Sequence, residues 1–191
     1  RVGDVSVSAV DPSRPFVDAA KRKFPDVDIR EAFAEELPYA DDTFDASLAA
    51  LVVHFMSDPV AGLREMGRVT RPGGAVAACV WDYAGDASPL SAFWQAVTDL
   101  EPAAKTESKL AGAREGHLVE LSESAGLRDA VGGYLTVQVP MASFEEWWEP
   151  FTLGVGPAGV HVRGLDEAGR DRLRDRCREL LPPAPFEVSA S

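Results

Sequence analysis

Three apolar runs in this 191-residue chain end on side chains that can do chemistry. Val5 to Val10 stops at Asp11-Pro12, Phe44 to Val53 delivers Ala50 and His54, and Ala75 to Trp81 leads into Asp82 and Tyr83. In an open α/β sheet, ligands bind beyond the carboxyl ends of the strands. The Asp11 carboxylate offers two acceptor oxygens, which suit the two vicinal hydroxyls of a ribose better than Ser or Asn would. Asp11 equally suits the start of an Asp-Pro turn, and spacing alone does not separate the two readings. His54 follows a strand at the same edge and is the candidate general base; simple packing beside a pocket is its other reading. Trp81 and Tyr83, with Trp147, Trp148 and Phe151 later in the chain, could line an apolar pocket with a few polar groups. The Trp pair has a plainer alternative as the anchor of a surface helix, where only one of two adjacent residues is well buried. Glu35-Glu36 resembles a carboxylate dyad, but neighbours in an extended segment point to opposite faces. No spacing supports a Ser-His-Asp arrangement, a phosphate loop or a metal-ligand cluster, and no metal is expected.

The elements that must carry these residues alternate between short apolar runs and amphipathic helices, which predicts an α/β fold with a mainly parallel sheet. Ser13, Asp58 and Asp166 are N-cap candidates, and Pro59 stands at a first helical position. Val60, Leu63 and Met66 form one buried stripe, and Leu173, Cys177, Leu180 and Leu181 another. Pro72-Gly73-Gly74 reads as a helix stop before a strand from Ala75. The nearly continuous apolar run from Phe44 predicts a strand covered by helices on both faces. Residues 101–116 read as a mobile connection, and residues 144–165 show weak periodicity. Cys79 and Cys177 lack metal-ligand spacing and read as core residues in a reducing, cytoplasmic setting. A net charge of −12 disfavours a nucleic-acid partner. The arginines between Arg170 and Arg178 alternate with acids and read as a solvated, ion-paired face. No apolar run approaches the roughly 18 to 20 residues of a membrane span, so no membrane partner is expected.

Val10-Asp11-Pro12-Ser13, Ala34-Glu35-Glu36-Leu37-Pro38-Tyr39, Phe44-Asp45, Val53-His54 and Arg68-Val69-Thr70-Arg71-Pro72-Gly73-Gly74 occur in one order and register. Together they resemble class I S-adenosylmethionine-dependent methyltransferases, in the branch that includes the ubiquinone and menaquinone biosynthesis enzymes. The resemblance covers residues 5–80 and extends more loosely to the helix and strand of 117–140. It implies a Rossmann-like, doubly wound sheet and S-adenosyl-L-methionine as cofactor. Asp11 would bind the ribose, Pro12 would lie against the adenine, and Phe33-Ala34 would meet the adenine edge. Phe33 stands where the family often has an acid, leaving the Ala34 backbone N–H as the donor to a ring nitrogen. Ala50 falls where some members carry a Ser beside the cofactor.

The resemblance places the family's glycine-rich loop before Arg1 and leaves the final strands incomplete after Ser191, so a chain truncated at both ends relative to the family is expected. Residues 1–191 read as a single domain: 1–83 on the cofactor side, 84–116 a connection and lid, and 117–191 a C-terminal part with an acceptor-side insertion at 144–165. The implied activity is methyl transfer to O, N or C of a small-molecule acceptor, with His54 as base and Trp81, Tyr83 and Trp148 on the acceptor side. Alternatives are a methyltransferase-like binding or assembly module without turnover, and a nicotinamide-dependent oxidoreductase, although no Tyr has a Lys four residues on. An acidic, Trp-bearing surface is compatible with a homodimer without arguing for one.

Overall fold

The computed structural model describes residues 5–191. Its elements are β1 (Ser8–Asp11), α1 (Arg14–Lys23), β2 (Asp28–Glu31), β3 (Phe44–Ala50), a 3-10 turn (Val53–Phe55), α2 (Pro59–Val69) and β4 (Thr70–Cys79). There follow α3 (Ser91–Leu100), a second 3-10 turn (Glu107–Lys109), α4 (His117–Ser124), β5 (Val137–Met141), α5 (Phe144–Thr152), α6 (Gly156–Gly164), α7 (Glu167–Leu180) and β6 (Phe186–Ala190). They form two compact units. One comprises the described residues up to Val80 with Gly116–Gly132; the other comprises Trp81–Glu115 with Gly133–Ser191.

The first unit consists of two β-α-β pieces, with β1 parallel to β2 and β3 parallel to β4. Asp58 caps α2 as its side chain accepts from the Ala61 N–H at 2.9 Å, and Pro59 follows where a missing N–H costs nothing. Leu63 and Met66 point from α2 onto Val53 and Ala49, and Leu118, Leu121 and Leu127 close this core. Three expectations are corrected here. β4 begins at Thr70, directly after α2, so Pro72-Gly73-Gly74 lies inside the strand; the register shift between Phe44 and Ala46 absorbs it. Gly74 is required there, since a Cβ would lie 2.6 Å from the Asp45 carbonyl oxygen. The β3–β4 pair is covered on one face only: Ala46, Leu48 and Ala50 pair with Ala75, Ala77 and Cys79, and all six side chains are exposed. Cys79 therefore stands on an open face and not in a core.

The second unit is built around aromatic rings. Phe93 from α3 stacks on Phe151 of α5 at 4.6 Å, and α7 contributes Leu173 and Cys177. Trp147 and Trp148 are both buried, at 4% and 7% exposure, so the expectation that only one of them would be is also corrected. Both fit because α5 is sandwiched within the unit's core: Trp147 meets Phe151 edge-on while Trp148 stacks on Phe144. The segment read as weakly periodic is thus helical. Ser143 accepts from the Glu146 N–H, and the Glu146 carboxylate accepts in turn from the Ala142 N–H at 2.7 Å. The arginines of α7 pair with acids both within the helix, Arg176 with Glu179 and Arg178 with Asp175, and on other helices, Arg174 and Arg178 with Glu145 and Arg176 with Asp99. β5 and β6 pair antiparallel, Val137 opposite Ala190.

Candidate functional site

In the first unit the candidate cofactor residues follow one another through direct contacts. Asp11 ends β1, half-buried, and its Oδ1 accepts from the Ser13 N–H at 2.7 Å. That bond opens α1, so the turn reading is correct as far as Oδ1 goes; Oδ2 takes no protein donor among the described residues. Pro12 is exposed beside it. The Asp11 carbonyl accepts from the Ala32 N–H at 3.2 Å, which brings the exit of β2 alongside. Phe33 projects into solvent there, 64% exposed. Ala34 packs against α2 at Gly62, where an added Cβ would sit 3.4 Å from the Ala34 Cβ. Glu35 accepts from the Asp58 N–H at 3.1 Å, so the Glu35-Glu36 pair splits as its extended geometry demands, one acid on the α2 N-terminus and one exposed.

Ala50 ends β3 with its methyl exposed, and Leu51 follows at φ 59°, a left-handed conformation costly for a branched side chain. The Leu51 N–H donates to the Cys79 carbonyl at 2.9 Å, which carries the pairing past the strand end and holds the strain. The next turn buries His54 at 7% exposure, its ring 4.0 Å from that of Phe55. Burial holds the imidazolium below its ordinary pKa, so the ring is neutral at neutral pH and able to accept a proton. A transfer to His54 would require its ring to become accessible.

Loop 37–41 is clamped by a residue that sequence reading had used only as a family marker. Arg68 donates from Nε and one terminal nitrogen to both oxygens of Glu65, at 2.6 and 2.7 Å. It also reaches the Tyr39 carbonyl and Asp41, both at 2.8 Å, and the Leu37 carbonyl at 3.1 Å. Glu65 completes the loop by accepting from the Leu37 N–H at 2.9 Å. The Arg68 hydrogen bonds hold the Glu65 carboxyl below its usual range.

The three acceptor-side candidates lie in the second unit. Trp81 is half-buried, whereas Tyr83 is buried and hydrogen-bonded to Glu107. Burial, and then the neighbouring carboxylate, push the Tyr83 hydroxyl up, so it stays a donor at any physiological pH. Trp148 belongs to the aromatic core and also lines an open cleft of about 320 Å³ with Arg163, Arg170 and Arg174. Glu107, 2% exposed, is the polar residue that sequence reading missed: a lone acid in a polar stretch carries no local signal of burial. Among the described residues no group of three or more His, Cys, Asp or Glu could hold a metal ion, and no helix is long and apolar enough to cross a membrane.

Residues 1–78 match the family model described as a methyltransferase domain. The chain is 34% identical over 91 residues to the demethylmenaquinone methyltransferase of Paenarthrobacter aurescens, covering 48% of this chain and 34% of that protein. It is 28% identical over 129 residues to the uncharacterized protein YafE of Escherichia coli, covering 68% of this chain and 58% of that protein. The chain thus spans from about a third to under two thirds of the length of these relatives. Among solved structures, the YcgJ protein of Bacillus subtilis superposes with a TM-score of 0.55 at 19% identity, covering 97% of this chain and 79% of that one. The [4+2]-cyclase SpnF superposes with a TM-score of 0.51 at 18% identity, covering 100% of this chain and 65% of that one. At such identities the two structures speak for the fold alone, a Rossmann-like α/β architecture. The matched segment, which carries Asp11, Ala34, His54 and the Arg68 clamp, is similar to a methyltransferase domain and to demethylmenaquinone methyltransferases.

Proposed function

We propose that the first unit binds the adenosine part of S-adenosyl-L-methionine, and that the protein transfers methyl to O, N or C of a small-molecule acceptor. The observation that carries the reading is Asp11: a carboxylate at the end of a parallel strand, one oxygen held by the Ser13 N–H and the other open. The residues present fit the nucleoside half of the cofactor. Asp11 accepts from ribose hydroxyls, Pro12 and the exposed Phe33 ring give apolar contact to adenine, and Ala34 offers a backbone N–H. Ala50, with its small exposed methyl, leaves room beside the strained Leu51 turn.

A sulfonium cofactor supplies the methyl group together with its own leaving group, so positioning and water exclusion can provide most of the acceleration. The chain's task is then to hold the two reactants in line. His54, neutral through burial, is the candidate to take a proton where the acceptor must lose one. Trp81, Tyr83 and Trp148 are the acceptor-side candidates, suited to a ligand with some apolar bulk.

The deciding experiment is a calorimetric titration of S-adenosylhomocysteine into the full-length protein and its Asp11→Ala variant. Micromolar binding, weakened by about 1.5 to 3 kcal/mol in the variant as for a hydrogen bond to a charged group, is the expected result. No heat and no thermal shift from folded protein would remove the cofactor assignment. Binding without any methylated product from cell extract would favour a methyltransferase-like binding module.

A further inference from the structure

Residues 101–115 contain no regular structure beyond the turn Glu107–Lys109, and Lys105 and Lys109 on this stretch are exposed. Glu107 between them is nonetheless almost wholly buried. A buried carboxylate without a cation is rare, because withdrawing its charge from water costs several kcal/mol. No ion pair reaches Glu107 among the described residues. Instead Trp94 Nε1 donates to its Oε2 at 2.8 Å from α3, and the Tyr83 hydroxyl donates from the turn after Val80. The same turn also ties to the stretch through the Ala84 N–H, which donates to the Ala113 carbonyl at 2.9 Å. Within the stretch the hydrogen bonds are local: Leu110 to Glu107 at 3.0 Å and Ala113 to Leu110 at 3.1 Å. Gly112 and Ala113 are buried as Glu107 is, and the Tyr134 hydroxyl donates to Glu115 at the stretch's end, so the stretch holds together as a piece. Pro102 near one end and Gly112 at φ 82° near the other bracket it with fixed and permissive backbone.

We propose that Glu107, Trp94 and Tyr83 form a latch for a strap made by residues 101–115, and that the strap lifts as one segment when the latch breaks, uncovering Tyr83. The latch needs no assumption about the reaction. It does set a condition on any ligand of Tyr83, whose hydroxyl is engaged while the strap is down. Energetically the device is sound because both donors aim at one carboxylate: losing that acceptor leaves an indole N–H and a phenol unsatisfied in an apolar setting.

Limited trypsin digestion of the whole chain reads the opening directly. Cleavage after Lys105 and Lys109 requires the strap to leave its seat, and under fast reclosing its rate follows the open population. Glu107→Ala is expected to speed cleavage at these two sites by about tenfold or more, as for loss of charge-assisted hydrogen bonds. Cleavage after Lys21 and Arg64, exposed on the other unit, serves as the reference and is expected to stay unchanged. Equal rates in variant and wild type at Lys105 and Lys109, or the same acceleration at all four sites, would overturn the latch. Tyr83→Phe, which removes one donor at little change in volume, carries the same comparison if Glu107→Ala does not fold.

Discussion

His54 lies beneath the end of β3, where its ring is neutral because burial penalises the imidazolium. A histidine whose folded pKa is lowered binds its proton less readily than in the unfolded chain. Its contribution to stability is therefore complete above the ordinary value of 6.5 and is lost as pH falls through that value toward the lowered one. Urea midpoints at pH 7.5 and 5.5 test this: the wild type is expected to lose stability between them, and His54→Gln to lose clearly less. Equal losses would mean that His54 does not carry the dependence. Residues of this kind were only half legible. Asp11 and His54 could be located because strand ends are marked by where apolar runs stop. The burial of His54, the positive φ of Leu51 and the seat of Glu107 come from contacts distant in sequence, and local composition does not report them.

At the scale of elements, α2 does most to build the candidate cofactor side. Its N-terminus receives Glu35, its middle receives Ala34 at Gly62, and its last turn supplies the Arg68–Glu65 clamp on loop 37–41. Arg68→Lys keeps a charge but loses the planar fork that serves Glu65, Asp41 and two carbonyls at once. A loss of roughly 1.5 to 3 kcal/mol in unfolding free energy is expected, measurable by urea titration; a change under about 0.5 kcal/mol, the ordinary surface range, would deny the clamp. Glu65 adds an acid limb. Its pKa is depressed by Arg68, so its stabilisation is present above the ordinary value of 4.5 and disappears as pH falls below it. Glu65→Gln is expected to flatten stability between pH 5 and 3. The start of α2 was readable from Asp58-Pro59 and its stripe, and α7 likewise from Asp166. α5 went unread, since its capping residues Ser143 and Glu146 are followed at once by aromatic crowding that blurs the period. α6 gave no such sign, since Gly156, Pro157, Gly159 and Gly164 argue against the helix that tertiary packing imposes.

At the scale of the molecule, the alternation of strands and helices made the α/β class legible, while the pattern had no means of showing that a parallel strand pair would keep one face open. Leu48, 78% exposed in mid-strand, stands at the centre of that face among small apolar neighbours. Such a patch attracts other apolar surfaces. Leu48→Ser is expected to reduce binding of an anilinonaphthalene dye to the native protein while shifting its unfolding midpoint little; undiminished dye binding would show that the dye reports another surface. The interleaving of the two units has a consequence in time. α2 ends at Val69, and the α4 residues that cover its Leu63 and Met66 begin at His117. At about 5 to 20 residues per second of synthesis, the ribosome leaves that stripe uncovered for several seconds while the start of the other unit emerges. Residues 81–115 thus act as a delay during biosynthesis, and the nascent chain most in need of a chaperone is the one paused between them and α4.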